Sequence, residues 1–524
     1  MSQPSLRPTM TLGEAFDAAV AAAGNAWLAD DGGQVTLHRL AERAEAFAAA
    51  LRGAGIGPGD RVGLLLPNGI GYVEAFFGTV LLGGVAVPLD DRLTDRELAE
   101  ADAAIDLGAT VAERARPGRT GRLDVLTGGG NWLVPGGPAP VHAPAAVRRR
   151  DDPAAVFFTS GTTGAPKPVT LTHHGLVRPL LALQRLHAAF FAGSPVTRVK
   201  RVATVASRHG SKLLRAAGRQ TWLTASPFRS MAGHQVLTGS LLLGHNLVTT
   251  AAFTPRRVLE LVDRHRVNVL AGTPAMAELL LRVEDLSPYD LSSLLVLGLG
   301  GGPASPDLVT RARDRFSCAV TVGYGSTELG GGVLATRLED SLRTQAETVG
   351  RPFPGTAVRV VDEHGAELPA GTPGELLCRP PDAPEDAPWL RTRDLAVADG
   401  DGNIRILGRV DDLVVRGGQN IHPAEVERVV AEVPAVQRCA VVGVPVHGDQ
   451  QVWVFAVPVD GRELTADDIR RHCRAGLAPA RRPDRVRIVP ELPVNEYGEV
   501  RRHLLREQAV AEMSGRGTRE GIEG

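Results

Sequence analysis

Residues Phe157 to His173 read FFTSGTTGAPKPVTLTH. An apolar strand, Ala154 to Phe158, runs into a loop of Thr, Ser and Gly whose backbone N–H groups and hydroxyls can nest an anion, with Lys167 as a point charge. That chemistry suits phosphate. No Gly-Lys-Ser/Thr closes the loop, and Val169 to Thr172 has the texture of a second strand rather than a helix, so it is not a nucleoside-triphosphatase P-loop. For the loop alone, a plain Gly/Thr hairpin turn is the competing account.

On both sides of this stretch, up to about residue 410, helix-period segments alternate with short apolar strands. This is the signature of a parallel or mixed sheet covered by helices. Arg39 to Arg52 reads as helix, Arg61 to Leu65 as strand, Glu74 to Leu82 as helix and Val85 to Pro88 as strand. The unit returns with Arg256 to His265 as helix, Val267 to Ala271 as strand, Met276 to Arg282 as helix and Leu294 to Leu299 as strand. Arg114 to Arg150, rich in Gly, Pro and Arg, reads as a loosely structured surface excursion. Near Gly408 the texture changes to a small α+β segment, and Ala511 to Gly524 reads as a disordered polar tail.

Composition narrows the class. The chain has 524 residues, 43% hydrophobic and 22% charged, with a net charge of −1. Such a chain builds a large core and lacks the global basic field of a nucleic-acid binder. Cys318, Cys378, Cys439 and Cys473 are too scattered for a metal cluster or redox pair. No apolar run reaches the ~20 residues of a membrane span, and Glu14 and Asp17 interrupt the only signal-like stretch, so the chain reads as cytoplasmic. Of 58 basic residues only Lys167, Lys200 and Lys212 are lysine. A GC-rich genome explains the bias and makes each surviving lysine a candidate for need.

Two further motifs carry chemistry. Val322 to Glu328, VGYGSTE, places an aromatic for base stacking, a hydroxyl for a phosphate oxygen and a carboxylate for Mg²⁺ within five residues. Leu390 to Glu427, LRTRDLAVADGDGNIRILGRVDDLVVRGGQNIHPAEVE, holds Asp394, an Arg-x-Asp-Asp turn and a glycine pair before a helix. For Asp394 the competing account is a capping acid, and for Asp411 an ordinary turn residue.

Together these motifs, in this order, resemble the adenylate-forming superfamily of acyl- and aryl-CoA synthetases, luciferases and peptide-synthetase adenylation domains, over essentially the whole chain. The resemblance implies a large α/β N-terminal domain, residues 1–410, with layered sheets and a small β-rich subdomain, and a small mobile α+β C-terminal domain, residues 411–510. It implies ATP- and Mg²⁺-dependent conversion of an organic acid to an acyl-adenylate, then rotation of the small domain and transfer to a nucleophile, by default CoA. Thr159, Ser160, Gly161, Thr162, Thr163, Gly164 and Lys167 would hold the β- and γ-phosphates. Gly300, Gly301, Gly302 and Pro303 match the turn beside adenine and the acyl pocket. Tyr324, followed by Gly325 and Ser326, would stack on adenine, Thr327 would meet the α-phosphate and Glu328 would bind the metal. Asp394 would take the ribose hydroxyls and Arg409 would help bind the nucleotide. Asp411 matches the hinge, and Gly417 and Gly418 the thiol-acceptor tunnel. Such sites work by positioning and charge neutralisation.

The departures from the family pattern are informative. The family's C-terminal catalytic lysine falls at Glu499 in PVNEYGEVRR, and no lysine follows Lys212, so no shift of register recovers one. Arg501 and Arg502 are the nearest cations. Pro168 stands where Gly is usual, Arg393 replaces the Gly before Asp394, and Ser230 replaces the usual His of the acid-binding wall, with His234 nearby as the other candidate. The interval from His173 to Pro227 is long and basic, carrying Arg198, Lys200, Arg201, Arg208, His209, Lys212, Arg215 and Arg219. It reads either as a solvated face or as a seat for an anionic substrate, the CoA phosphates or an acidic acyl or peptidyl carrier protein. The alternatives to a CoA ligase are an amine-using amide ligase, a diazotase-like enzyme adenylating nitrite, and a nucleotide-binding pseudoenzyme.

Overall fold

The computed structural model describes residues 4–113, 123–128, 131–133, 148–159, 167–209, 218–384, 386–416, 419–446, 449–494 and 500–513. The chain divides into two compact units, Met1–Ala357 with Arg379–Pro388, and Val358–Cys378 with Trp389–Gly524.

In the first unit, short strands rich in Val, Leu and Ala build two sheets. Val85–Pro88 and Asn246–Thr249 are buried at every position, as parallel strands covered on both faces must be. The seven-stranded sheet runs Asn131–Leu133, Leu123–Gly128, Ala109–Ala112, Arg61–Leu65, Val85–Pro88, Pro153–Thr159, Lys167–Thr172. The nine-stranded sheet runs Arg351–Pro352, Gly331–Ala335, Ala319–Ser326, Val296–Leu299, Val269–Gly272, Thr221–Thr224, Asn246–Thr249, Trp27–Asp30, Gly33–Thr36. Its central strands, from Ala319–Ser326 to Trp27–Asp30, are parallel.

Five helices share one core with both sheets: Leu12–Ala23, Leu37–Gly53, Ile70–Leu82, His173–Phe191 and Met231–Leu242. Phe16 and Phe77 stack there at 4.1 Å. Because side chains alternate along a strand, Leu247 joins this core while Val248 joins the one under the helices Pro255–Arg264, Pro274–Leu281 and Pro306–Phe316. The Asp95–Ile105 helix covers the other face of the seven-stranded sheet. The result is the layered α/β arrangement expected.

Two expectations need correction. Within Arg114 to Arg150, the strands Leu123–Gly128 and Asn131–Leu133 extend the seven-stranded sheet, parallel to Ala109–Ala112 and then antiparallel. Backbone pairing at a sheet edge makes this order, and the flanking Gly, Pro and Arg conceal it in the sequence. The helix Arg502–Met513 also runs into the expected tail. Its Leu505 and Ala509 are buried, and Glu512 accepts from Arg487 Nε at 2.9 Å. Residues 514–524 lie outside the described set.

The second unit contains a four-stranded antiparallel sheet in the order Ala357–Val361, Gly374–Arg379, Leu390–Ala398, Ile404–Arg409, which is the small β-rich part. Compactness thus groups this sheet with the C-terminal segment. In that segment Val436–Val446, Asp449–Pro458 and Arg485–Ile488 form a sheet with both faces covered. Val441 and Val454 face the helices Pro423–Ala431 and Ala466–Gly476, while Val442, Trp453 and Phe455 face Arg502–Met513.

The basic stretch is partly structural. It forms the helix Pro195–His209, whose Arg201 donates to Ala189 O at 2.7 Å and Ala192 O at 3.1 Å, closing the end of the preceding helix. His209 Nε2 meets Leu338 O at 2.9 Å, and Arg219 donates to Gly244 O at 3.1 Å. Arg198 and Lys200 are exposed, and Lys212 and Arg215 lie outside the described residues.

Candidate active site

Strands ending side by side in a parallel sheet leave their following turns at one edge, where α/β proteins bind ligands. Thr221–Thr224, Val269–Gly272 and Val296–Leu299 end this way in the nine-stranded sheet, whereas Ala319–Ser326 runs four residues past Val322, the partner of Leu299, and pairs there with Gly331–Ala335. Their turns carry Ser226 to Ser230, Thr273, Gly300 to Pro303, and Thr327 with Glu328. Two motifs separated by the helix Pro306–Phe316 therefore begin on neighbouring strands: Leu299 pairs with Val322, and Gly300 follows beside Gly323. Gly325 faces Gly332, and a Cβ on it would lie 2.1 Å from Gly331 O, so only glycine fits. Glu328 is exposed, and none of the described residues hydrogen-bonds or ion-pairs with its carboxylate. One free carboxylate suits Mg²⁺, which keeps waters and takes phosphate oxygens. Among the described residues no group of three His, Cys, Asp or Glu could hold a metal without substrate.

Thr159 and Lys167 face each other at the open end of an antiparallel pair. The second strand begins at Lys167, so the loop joins strand to strand. Thr159 Oγ1 lies 3.4 Å from Lys167 O, and the ammonium-bearing side chain is exposed. Ser160, Gly161, Thr162, Thr163 and Gly164 lie outside the described residues.

Ser230 caps the helix Met231–Leu242. Its Oγ accepts from Gly233 N at 3.1 Å and donates to Pro227 O at 2.7 Å. His234 lies in the core between Phe76 at 4.8 Å and Phe157 at 5.0 Å, and neither ring nitrogen is hydrogen-bonded to a described residue. Burial pushes its pKa down to about 3. The structure thus gives Ser230 a capping role and places His234 in the core. Sequence reasoning also misses what fixes the Ser226 to Ser230 turn. Asn68 donates to Ser226 O at 2.8 Å and accepts from Phe228 N at 2.7 Å, Tyr72 Oη donates to Phe228 O at 3.2 Å, and Arg229 pairs with Asp90 at 3.0 Å.

In the second unit, adjacent strands bring Asp394 opposite Arg409, with Arg409 Nη1 3.1 Å from Asp394 Oδ1. Asp394 is 13% exposed, so a fixed carboxylate is presented with little freedom. Arg393 adopts φ +61 and its guanidinium grips Asp411, with Nε 3.3 Å from Oδ2. The cation expected beside the ribose position is therefore paired with the expected hinge residue. Burial, with Asp394 nearby, pushes the Cys378 thiol up to about 12. Gly417, Gly418 and Glu499 lie outside the described residues.

Comparison with known proteins follows the same lines. The family model described as AMP-binding enzyme matches residues 16–383, and that described as AMP-binding enzyme C-terminal domain matches residues 425–499. A feruloyl-CoA synthase of Amycolatopsis sp is 32% identical over 491 residues, 90% of this chain and 93% of that protein. The structure of an anthranilate CoA ligase, AuaEII, in complex with anthranoyl-AMP superposes with a TM-score of 0.81 at 22% identity, covering 97% of this chain and 99% of that one. The amide bond synthetase McbA from Marinactinospora thermotolerans superposes with a TM-score of 0.75 at 26% identity, covering 95% and 99%. No helix among the described residues is long and apolar enough to cross a membrane.

Proposed function

The chain belongs to the AMP-binding enzyme family, whose model matches residues 16–383, and from that premise we propose that it is an ATP-dependent ligase that adenylates an organic acid and passes the acyl group to CoA. The observation that supports this is that Leu299 pairs with Val322 and Gly300 lies beside Gly323, so Gly300 to Pro303 and Tyr324 to Glu328 continue from neighbouring parallel strands of one sheet. The phosphate hairpin of Thr159 and Lys167 belongs to the same compact unit.

In the reaction, a carboxylate oxygen of the acid attacks the α-phosphorus of ATP, the bond to the bridging oxygen breaks, and pyrophosphate leaves. Lys167, Thr159 and the loop Ser160 to Gly164 neutralise and orient the β- and γ-phosphates. Thr327 contacts the α-phosphate, while Tyr324 stacks on adenine between Gly300 to Pro303 and its own strand. Glu328 would hold Mg²⁺, which when bound offsets phosphate charge. Asp394 accepts from the ribose hydroxyls with Arg409 beside it. In the second step the thiol attacks the acyl carbon and AMP departs, with Asp411 as hinge and Gly417 and Gly418 lining the thiol path. Positioning and charge compensation of this kind are the main protein contributions to phosphoryl chemistry.

A second reading has an amine as acceptor. It is favoured by Glu499 standing at the position of the family's lysine, together with the likeness to an amide bond synthetase. Incubation with ATP, Mg²⁺, a panel of acids and either CoA or amines, read by mass, separates the two. AMP formed with an acyl thioester supports the first reading. AMP formed with an amide and no thioester replaces it with the second.

A further inference from the structure

The helix Met231–Leu242 turns two residues toward the glycine edges of the site. A Cβ on Gly301 would lie 3.6 Å from Ala232 Cβ. Gln235, three positions on and so on the same helix face, accepts a 2.6 Å hydrogen bond from Gly332 N through Oε1. Its carboxamide lies against two glycines. A Cβ on Gly331 would come within 2.9 Å of Oε1, and one on Gly332 within 3.1 Å. Side chains at these positions would displace the amide.

Strand register ties this amide to the reacting centre. Gly332 faces Gly325 and Gly331 faces Ser326, the residue before Thr327 and Glu328. Since Oε1 is engaged by Gly332, the orientation of the amide is set, and Nε2 carries two N–H donors. Among the described residues nothing accepts from them. Gln235 is half-buried, open to a ligand yet partly withdrawn from water.

We propose that Gln235 is a specificity-determining residue of the acid pocket, and that the acid it selects carries a neutral hydrogen-bond acceptor, a carbonyl, ether or hydroxyl oxygen, besides its reacting carboxylate. This rests on the adenylating function proposed above. A purely hydrocarbon acid would strip water from the Nε2 donors and leave them unpaired, a loss that discriminates more strongly than added apolar contact. A second carboxylate would meet a neutral amide, because Arg229 in the preceding turn is already paired with Asp90 at 3.0 Å.

The test uses matched acids, such as phenyl-substituted carboxylic acids with and without a methoxy or keto group, in acid-dependent exchange of labelled pyrophosphate into ATP. The wild type is expected to favour the acceptor-bearing acid by about 10- to 100-fold in kcat/KM. Gln235→Glu keeps an oxygen for Gly332 N and the side-chain shape but replaces the donors. It should reduce the ratio to about 1 with the KM for ATP unchanged. Gln235→Met, which keeps the length and removes both polar atoms, should do the same. A wild type without preference, or a Gln235→Glu or Gln235→Met enzyme that retains it, overturns the role of Gln235. Exchange absent with every acid overturns the adenylation reading itself, and this proposal with it.

Discussion

Arg502 Nη2 lies 2.8 Å from Glu427 Oε1, and Glu427 Oε1 also accepts from Val441 N at 2.8 Å. Arg502 Nη1 is 3.6 Å from Asp412 Oδ2. Of the two nearest cations that follow Glu499, one is thus committed within its own unit, whereas Arg501 is exposed. Arg502→Ala leaves Glu427 without its cation. It is expected to cost about 2–3 kcal/mol, less than the ~3–5 of a fully buried pair because the guanidinium is partly exposed. Arg501→Ala is expected to leave stability within about 0.5 kcal/mol. Urea unfolding of the two variants checks the contrast, and equal losses would contradict it.

Placing a lysine at Glu499 tests the expectation that a cation at this position serves adenylation. One stabilising group at a developing charge is worth about 10²–10³ in rate. Glu499→Lys is expected to raise acid-dependent exchange by at least about 10-fold. An unchanged rate would mean another group already performs the task.

Arg393 occupies the left-handed region at φ +61, where a non-glycine residue carries roughly 1–2 kcal/mol of strain. The ion pair with Asp411 offsets that strain. Arg393→Gly relieves the strain and breaks the pair, so stability is expected to change by less than about 1 kcal/mol. If Asp411 is the hinge, the ratio of thioester formation to adenylate formation should rise several-fold. Single-turnover measurement of each half-reaction reads it, and a ratio equal to wild type would separate Arg393 from domain rotation.

Three buried histidines of the first unit make the fold acid-labile. Burial, with Arg148 near His173 and with His187 and Arg219 near His245, holds both at about 4, and burial alone holds His234 at about 3. Their folded pKa values lie below the unfolded value of about 6.5, so in that window the unfolded chain binds more protons. Stability is therefore full above about 6.5 and falls as pH drops toward about 4. His234→Leu should flatten the dependence of Tm on pH between these limits. An unchanged slope would mean that the imidazole between Phe76 and Phe157 is not the group being protonated.

Much of the candidate site is legible in the sequence because its motifs are local. Thr159 and Lys167 are joined by one loop, and Tyr324, Thr327 and Glu328 fall in one strand and turn. Strands such as Arg61–Leu65 are legible because burial on both faces demands an unbroken apolar run. What escapes is long-range. Asn68 meets Phe228 across 160 residues, and Gln235 meets Gly332 across 97. No periodicity announces these contacts. The one signal present is a lone carboxamide, Gln235, in a helix that carries no carboxylate, lysine or arginine, directly after the turn expected to line the acid site. For Ser230 and His234, residue type suggests acid-binding chemistry, and the structure shows in addition what the fold asks of them, a cap at a helix start and a neutral imidazole packed between Phe76 and Phe157.

Acid-dependent exchange of labelled pyrophosphate into ATP, compared between wild type and Lys167→Ala, bears most directly on the adenylating function. Exchange by the wild type should require both Mg²⁺ and a suitable acid, and Lys167→Ala should lower it by at least about 10²-fold while the fold is retained. A wild type that binds ATP yet exchanges no pyrophosphate with any acid would contradict adenylation and leave a nucleotide-binding protein without it.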